Sequence, residues 1–240
     1  MHVGLTPPFR SALDDVVGEL SGRDDVVGIL FFGSAARGTA RTGSDIDLYA
    51  ITSADSSGHL GRLVAGVPVE VSFGSVHQMS AQVRQERSTV VNAFATGRLL
   101  LDNTAGALAA LCAEARVSWE RGPGPIAAPA ALRFRFHLTD LARDLEAMPE
   151  RSAETALLAS ECVRLAIEAF CAREQVWMPS MRHVPEALAR THPGMAAMLE
   201  QCAEEGFPAS LAVRIADTVL ARLGGRLDTY ETGPAPPAVR

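Results

Sequence analysis

Seven consecutive residues, Val26 to Phe32, carry no polar side chain, and the run closes on Gly33-Ser34. A short apolar run bounded by turn residues reads as a buried strand. Asp45 to Thr52 alternates polar with apolar and then turns apolar, which predicts a second strand. Leu60 to Ala65 and Val67 to Phe73 read as a hairpin with Gly66 in its turn, beyond a loop at 53–58. Residues 9–21 predict a helix, with Phe9, Leu13, Val16, Val17 and Leu20 as its apolar positions. Residues 75–87 read as a polar helix, 98–101 as a short edge strand and 105–115 as a helix. These segments predict an α/β (α+β) domain over residues 1–121.

Composition changes at Gly122-Pro-Gly-Pro, a Pro/Gly stretch that marks a domain boundary. Segments 130–147, 152–174, 184–190, 194–204 and 208–229 carry apolar residues at three- and four-residue spacing. An all-α helical-bundle domain is expected over 122–231, followed by a proline-rich disordered tail at 232–240.

The chain has no lysine, so all 22 basic residues are arginine. Phosphate binding through a P-loop lysine and Schiff-base catalysis are therefore excluded. Any grip on phosphate must come from arginine, backbone N–H groups, hydroxyls or a metal. The net charge of −6 comes without a basic stripe, which argues against an extended nucleic acid as partner. No apolar run approaches the roughly 18 residues of a membrane span, and the first ten residues lack a signal pattern. A cytoplasmic protein with no membrane partner is expected. Cys112, Cys162, Cys171 and Cys202 form no Cys-x-x-Cys pair and read as small buried hydrophobes.

The chemistry is concentrated between residues 33 and 70. A glycine where a strand ends lets the backbone approach a phosphate, and the Ser34 hydroxyl with the following N–H groups can donate to phosphate oxygens. After ten intervening residues, 35–44, comes Asp45-Ile-Asp47. In a strand, residues i and i+2 share a face, so Asp45 and Asp47 project together while Ile46 and Leu48 face the core. Two carboxylates held this close repel unless a cation neutralises them, and hard oxygen donors select Mg²⁺ or Mn²⁺. Glu70 lies among valines in Val67-Pro-Val-Glu-Val71. From a neighbouring strand about 5 Å away it can reach the same metals or serve as base toward an acceptor hydroxyl.

Gly33-Ser34, Asp45-x-Asp47 and a third acid on a later strand resemble the nucleotidyltransferase superfamily that contains DNA polymerase β. Within it the chain is similar to the small bacterial branch of aminoglycoside adenylyltransferases and minimal nucleotidyltransferases. Glu70 stands where many members have aspartate. The resemblance implies a mixed sheet, two Mg²⁺ ions on Asp45, Asp47 and Glu70, and a nucleoside triphosphate, ATP foremost, as donor. It places the β- and γ-phosphates near Gly33 and Ser34, with Ser44, Arg37 and Arg41 in the intervening loop. Arg37 and Arg41 read equally as triphosphate contacts or as surface charge. Pyrophosphate is the implied leaving group.

In the helical domain Arg133, His137, Asp140 and Asp144 fall on one helix face. By the same resemblance His137, Asp140 or Asp144 bind the acceptor or activate its hydroxyl; a solvated, salt-bridged face is the other reading. No arginine precedes a histidine by the spacing of the HEPN ribonucleases, so that activity is not expected of the bundle. The expected reaction is transfer of AMP to a hydroxyl of a small molecule, an antibiotic among the candidates. A protein adenylyltransferase acting on a partner and a non-catalytic nucleotide-binding module are the alternatives. A homodimer is compatible with the resemblance.

Overall fold

The computed structural model describes residues 6–41 and 43–229. The chain divides into two compact units, Met1–Pro123 and Gly124–Arg240. The first unit is built on a five-stranded sheet of β1 (Val26–Phe32), β2 (Ile46–Thr52), β3 (Gly58–Val64), β4 (Val67–Gly74) and β5 (Arg98–Asp102). Their order is β3-β4-β2-β1-β5. β2 and β4 run parallel and the other three pairings are antiparallel, so the sheet is mixed as expected. The β3–β4 hairpin turns at Ala65 and Gly66, whose φ values of 50° and 79° fit a two-residue turn with both central residues left-handed. β5 is an edge strand, as its short sequence predicts.

Strand alternation sorts the side chains onto two faces. Phe31, Ile46, Leu48, Val69 and Val71 are fully buried against Leu13, Val16 and Leu20 of α1 (Pro7–Ser21). Each fully buried side chain of this size contributes about 1.5–3 kcal/mol. The opposite face carries Asp47 and Tyr49 and is covered only in part. Ser75 caps α3 (Val76–Arg84) through a reciprocal pair with Gln78, accepting from the Gln78 N–H while the Gln78 side chain accepts from its own.

Residues 88–97 have no assignment from sequence, yet they contain α4 (Ser88–Thr96). Val90, Val91, Ala93, Phe94 and Ala95 are all buried, so this helix shows too little polar face to produce a helical period. The following helix, α5 (Ala107–Arg121), runs six residues beyond the predicted end at 115. Beyond residue 115 only Ser118 is buried, Trp119 is half-buried and the rest are exposed, with Val117 and Trp119 as the only apolar residues.

The second unit is helical: α6 (Ala128–Ala147), α7 (Ala153–Arg173), a 3₁₀ turn (Met181–His183), α8 (Val184–Thr191), α9 (Pro193–Glu204) and α10 (Ala209–Leu223). Leu138, Leu145, Phe170, Leu188, Ile215 and Val219 belong to its core. α10 stops at Leu223, short of the predicted 229, because Gly224 and Gly225 take φ values of 106° and 85°. Two left-handed residues release the chain from the helix. Arg135 donates to both glycine carbonyls, and Arg226 joins Asp217 of α10 to Glu146 of α6. The expected tail at 232–240 lies outside the described residues. All four cysteines are buried, and burial pushes the thiols of Cys162, Cys171 and Cys202 up to about 12, 11 and 11. Among the described residues no helix is long and apolar enough to cross a membrane.

Candidate active site

β1 pairs with β2 so that Phe32 lies opposite Asp47. The chain leaves β1 at Gly33 with φ 78°, a conformation that favours glycine, and enters the short helix α2 (Gly33–Ala36). The glycine has a second reason. A Cβ on Gly33 would lie 1.9 Å from Asp47 Oδ2 and 2.8 Å from Asp47 Cγ. The Asp47 carboxylate thus rests directly on the Gly33 backbone. The sequence suggested a glycine that admits phosphate; the structure adds that it admits the aspartate.

β2 pairs in parallel with β4, and the register sets Asp47 beside Glu70. Asp45 lies one residue ahead of β2 rather than inside it, because pairing begins at Ile46. Its carboxylate still joins the other two: one oxygen from each of Asp45, Asp47 and Glu70 lies within 4.8 Å of the others. Asp45 and Asp47 are half-buried and Glu70 is exposed. Three carboxylates at this spacing are costly without a cation, and an all-oxygen donor set suits a hard divalent ion.

Below Asp47 the same face of β2 presents Tyr49, which sequence reading passed over. Its ring stacks on Phe32 at 5.0 Å and tilts against Phe94 at 5.1 Å. Burial, and then the Asp47 charge, push its phenol above the ordinary tyrosine value. The signal was present in the sequence, since Tyr49 stands two residues from Asp47 in a strand. This aromatic stack is the floor that holds β1 and β2 under the acids.

Ser34 is half-buried in α2, and its carbonyl accepts from the N–H and hydroxyl of Thr39. The loop then exposes Arg37 and Arg41. Ser44 closes a turn on Arg41: its Oγ accepts from Arg41 N at 2.9 Å, and its N–H donates to Arg41 O. Arg41 and Ser44 line a groove of about 670 Å³ with Phe9, Ala40 and Pro68. Gly33, Ser34, Asp45, Asp47 and Glu70 are therefore gathered at the junction of β1, α2, β2 and β4.

In the second unit Arg133, His137, Asp140 and Asp144 are all exposed on α6, while Leu138, Ala142 and Leu145 are buried. Asp140 lines a recess of about 240 Å³ with Phe136, Thr139, Arg143 and Leu227.

Residues 13–92 match the family model of the nucleotidyltransferase domain. The chain carries a nucleotidyltransferase domain of the DNA polymerase β superfamily. The matched segment of this domain runs from α1 into α4 and contains all three acids. A solved nucleotidyltransferase-like protein from Exiguobacterium sibiricum 255-15 is 16% identical over 89% of this chain and 74% of its own, with a TM-score of 0.40. That likeness is too remote to carry an argument. The search of curated proteins gives no match.

Proposed function

We propose that the protein transfers AMP from ATP to a hydroxyl of a small molecule and releases pyrophosphate, with Mg²⁺. The observation that carries this reading is the meeting of Asp45, Asp47 and Glu70 beside Gly33-Ser34 in a nucleotidyltransferase domain. The donor set fits the ion, because three carboxylate oxygens within 4.8 Å form a hard, anionic cluster. Asp45, Asp47 and Glu70 would hold Mg²⁺, which when bound offsets charge on the triphosphate and on the attacking and leaving oxygens.

The remaining work falls to the chain itself. A short helix leaves its first N–H groups without intrahelical partners, and those of α2, with the Ser34 hydroxyl, orient phosphate oxygens. Arg37 and Arg41 are exposed beside them and supply the only kind of cationic side chain, other than histidine, that this chain contains. The Phe32–Tyr49–Phe94 stack keeps Asp47 and Gly33 in register, and ångström-scale misplacement at such a site costs about a hundredfold in rate.

The test is label transfer from ATP labelled at the α-phosphate, with Mg²⁺, a cell extract and an Asp47→Asn control. Asp47-dependent label in the small-molecule fraction supports the proposal. Label on a protein band replaces the acceptor class with a protein. No Asp47-dependent transfer from any of the four triphosphates overturns the proposal in favour of a binding module.

A further inference from the structure

β3 is the free edge next to β4, and its residues pair in register with those of β4. His59 lies opposite Ser72, Gly61 opposite Glu70 and Leu63 opposite Pro68. Directly opposed residues point to the same face, so these six share the face of the acidic cluster. Arg62, between them, points the other way and pairs with Glu19 of α1.

Gly61 is unusual among them. Its φ lies outside the left-handed region, so the backbone does not require glycine. Among the described residues a Cβ there would meet no atom within 4 Å, so packing does not require it either. A glycine inside a strand weakens it, and one use of such a position is to let another group come close to the backbone. What its bare backbone leaves is open surface directly beside Glu70. At one end of that surface His59 Nδ1 lies 3.4 Å from Ser72 Oγ. At the other, Leu63 is 72% exposed next to Pro68.

The direction of the reaction picks out the same surface. In-line displacement at phosphorus needs the attacking and leaving oxygens on opposite sides. Gly33 and Ser34 lie on the β1 side of Asp47; with the phosphates held there, as in the proposed function, the pyrophosphate departs on that side. The attacking hydroxyl then comes from the β4–β3 side, across Gly61.

We propose that the surface over Gly61, between Glu70 and the His59–Ser72 pair, is the acceptor subsite; this rests on the function proposed above. The acceptor places one hydroxyl beside Glu70. A second hydrogen-bonding group reaches His59 and Ser72, about 7–8 Å along the diagonal of the strand pair. An apolar flank lies on Leu63 and Pro68. In the transfer the acceptor oxygen bonds to the α-phosphorus, the bond from that phosphorus to the α–β bridging oxygen breaks, and pyrophosphate leaves with that electron pair. The hydroxyl proton is lost to water.

The test compares wild type, Gly61→Val, His59→Ala and Asp47→Asn. The probe is the methanol-soluble extract of the source cells, with ATP labelled at the α-phosphate and Mg²⁺. Gly61→Val should lower the small-molecule adduct by about tenfold or more, while ATP affinity by calorimetry stays within about twofold and the melting temperature does not fall. His59→Ala should raise the apparent KM for the extract several-fold and leave the maximal rate nearly unchanged. A wild-type adduct formed equally well by Gly61→Val overturns the subsite and leaves the proposed function standing. No Asp47-dependent small-molecule adduct from wild type overturns both.

Discussion

Gly33→Ala separates the two reasons for that glycine. Alanine at φ 78° costs roughly 1–2 kcal/mol in backbone conformation. In a domain of this size that is a fall of roughly 4–8 °C or somewhat more in melting temperature. The new methyl would also lie 1.9 Å from Asp47 Oδ2, about 1.5 Å short of ordinary contact. Asp47 is short, and its Cγ and Cβ would stand only 2.8 and 3.2 Å away, so rotation alone does not clear the clash. The carboxylate is driven out of the acidic cluster. Gly38 is the control, because it has φ 73° and, among the described residues, no atom within 4 Å of an added Cβ. Both variants should lose similar backbone stability. Only Gly33→Ala should also weaken Mn²⁺ binding, read by the paramagnetic resonance of the free ion, and lower transfer by about a hundredfold. Equal Mn²⁺ affinity in Gly33→Ala and Gly38→Ala would refute the contact argument.

Three further predictions concern the acidic cluster and the helical unit. Asp47→Asn removes one of three mutually repelling carboxylates, so the metal-free variant should melt at or above wild type. Mg²⁺ should stabilise wild type by mass action and the variant far less, and equal Mg²⁺ shifts in scanning calorimetry would count against the metal site. Arg226→Ala should destabilise the helical unit by about 1 kcal/mol, because its two partners are substantially exposed. The Arg226 hydrogen bonds hold the Glu146 carboxyl below its ordinary value. That contribution is fully present above the ordinary glutamate pKa of about 4.3 and is lost as pH falls through the lower folded value. The gap between wild type and Arg226→Ala in denaturant midpoint should therefore close in acid, and a gap independent of pH rejects the pairing. Cys162, Cys171 and Cys202, buried with raised thiols, should resist iodoacetamide at pH 8 in the native protein and react after denaturation. Fast native alkylation would show that the helical core opens readily.

Much of the site was legible because its residues are close in sequence and obey local periodicities. Val26–Phe32 ending on Gly33-Ser34, and Asp45-Ile-Asp47 with its two-residue period, announce a strand, a tight exit and paired acids without tertiary information. Gly66 announces the hairpin, and a lone glutamate among valines marks Glu70 as needing an explanation. α4 stayed hidden because a helix buried on most sides loses the polar stripe that reveals helical period. The end of α10 was missed because apolar spacing continues past Leu223, whereas Gly224 and Gly225 were free to take left-handed backbone.

The sequence by itself determined the chemistry available: three acids, a Gly-Ser turn, arginine as the only strong cation and a helical second half. Those are properties of residue type and short-range spacing, which folding does not alter. The tertiary structure decided which groups meet. Only the parallel register of β2 and β4 brings Glu70 beside Asp47, because their contact depends on a strand order that no local pattern encodes. Only the β1–β2 pairing lays the Asp47 carboxylate on the Gly33 backbone, and only the hairpin register sets bare Gly61 beside Glu70. A one-residue slip between β2 and β4 would put Asp47 and Glu70 on opposite faces, since side chains alternate along a strand.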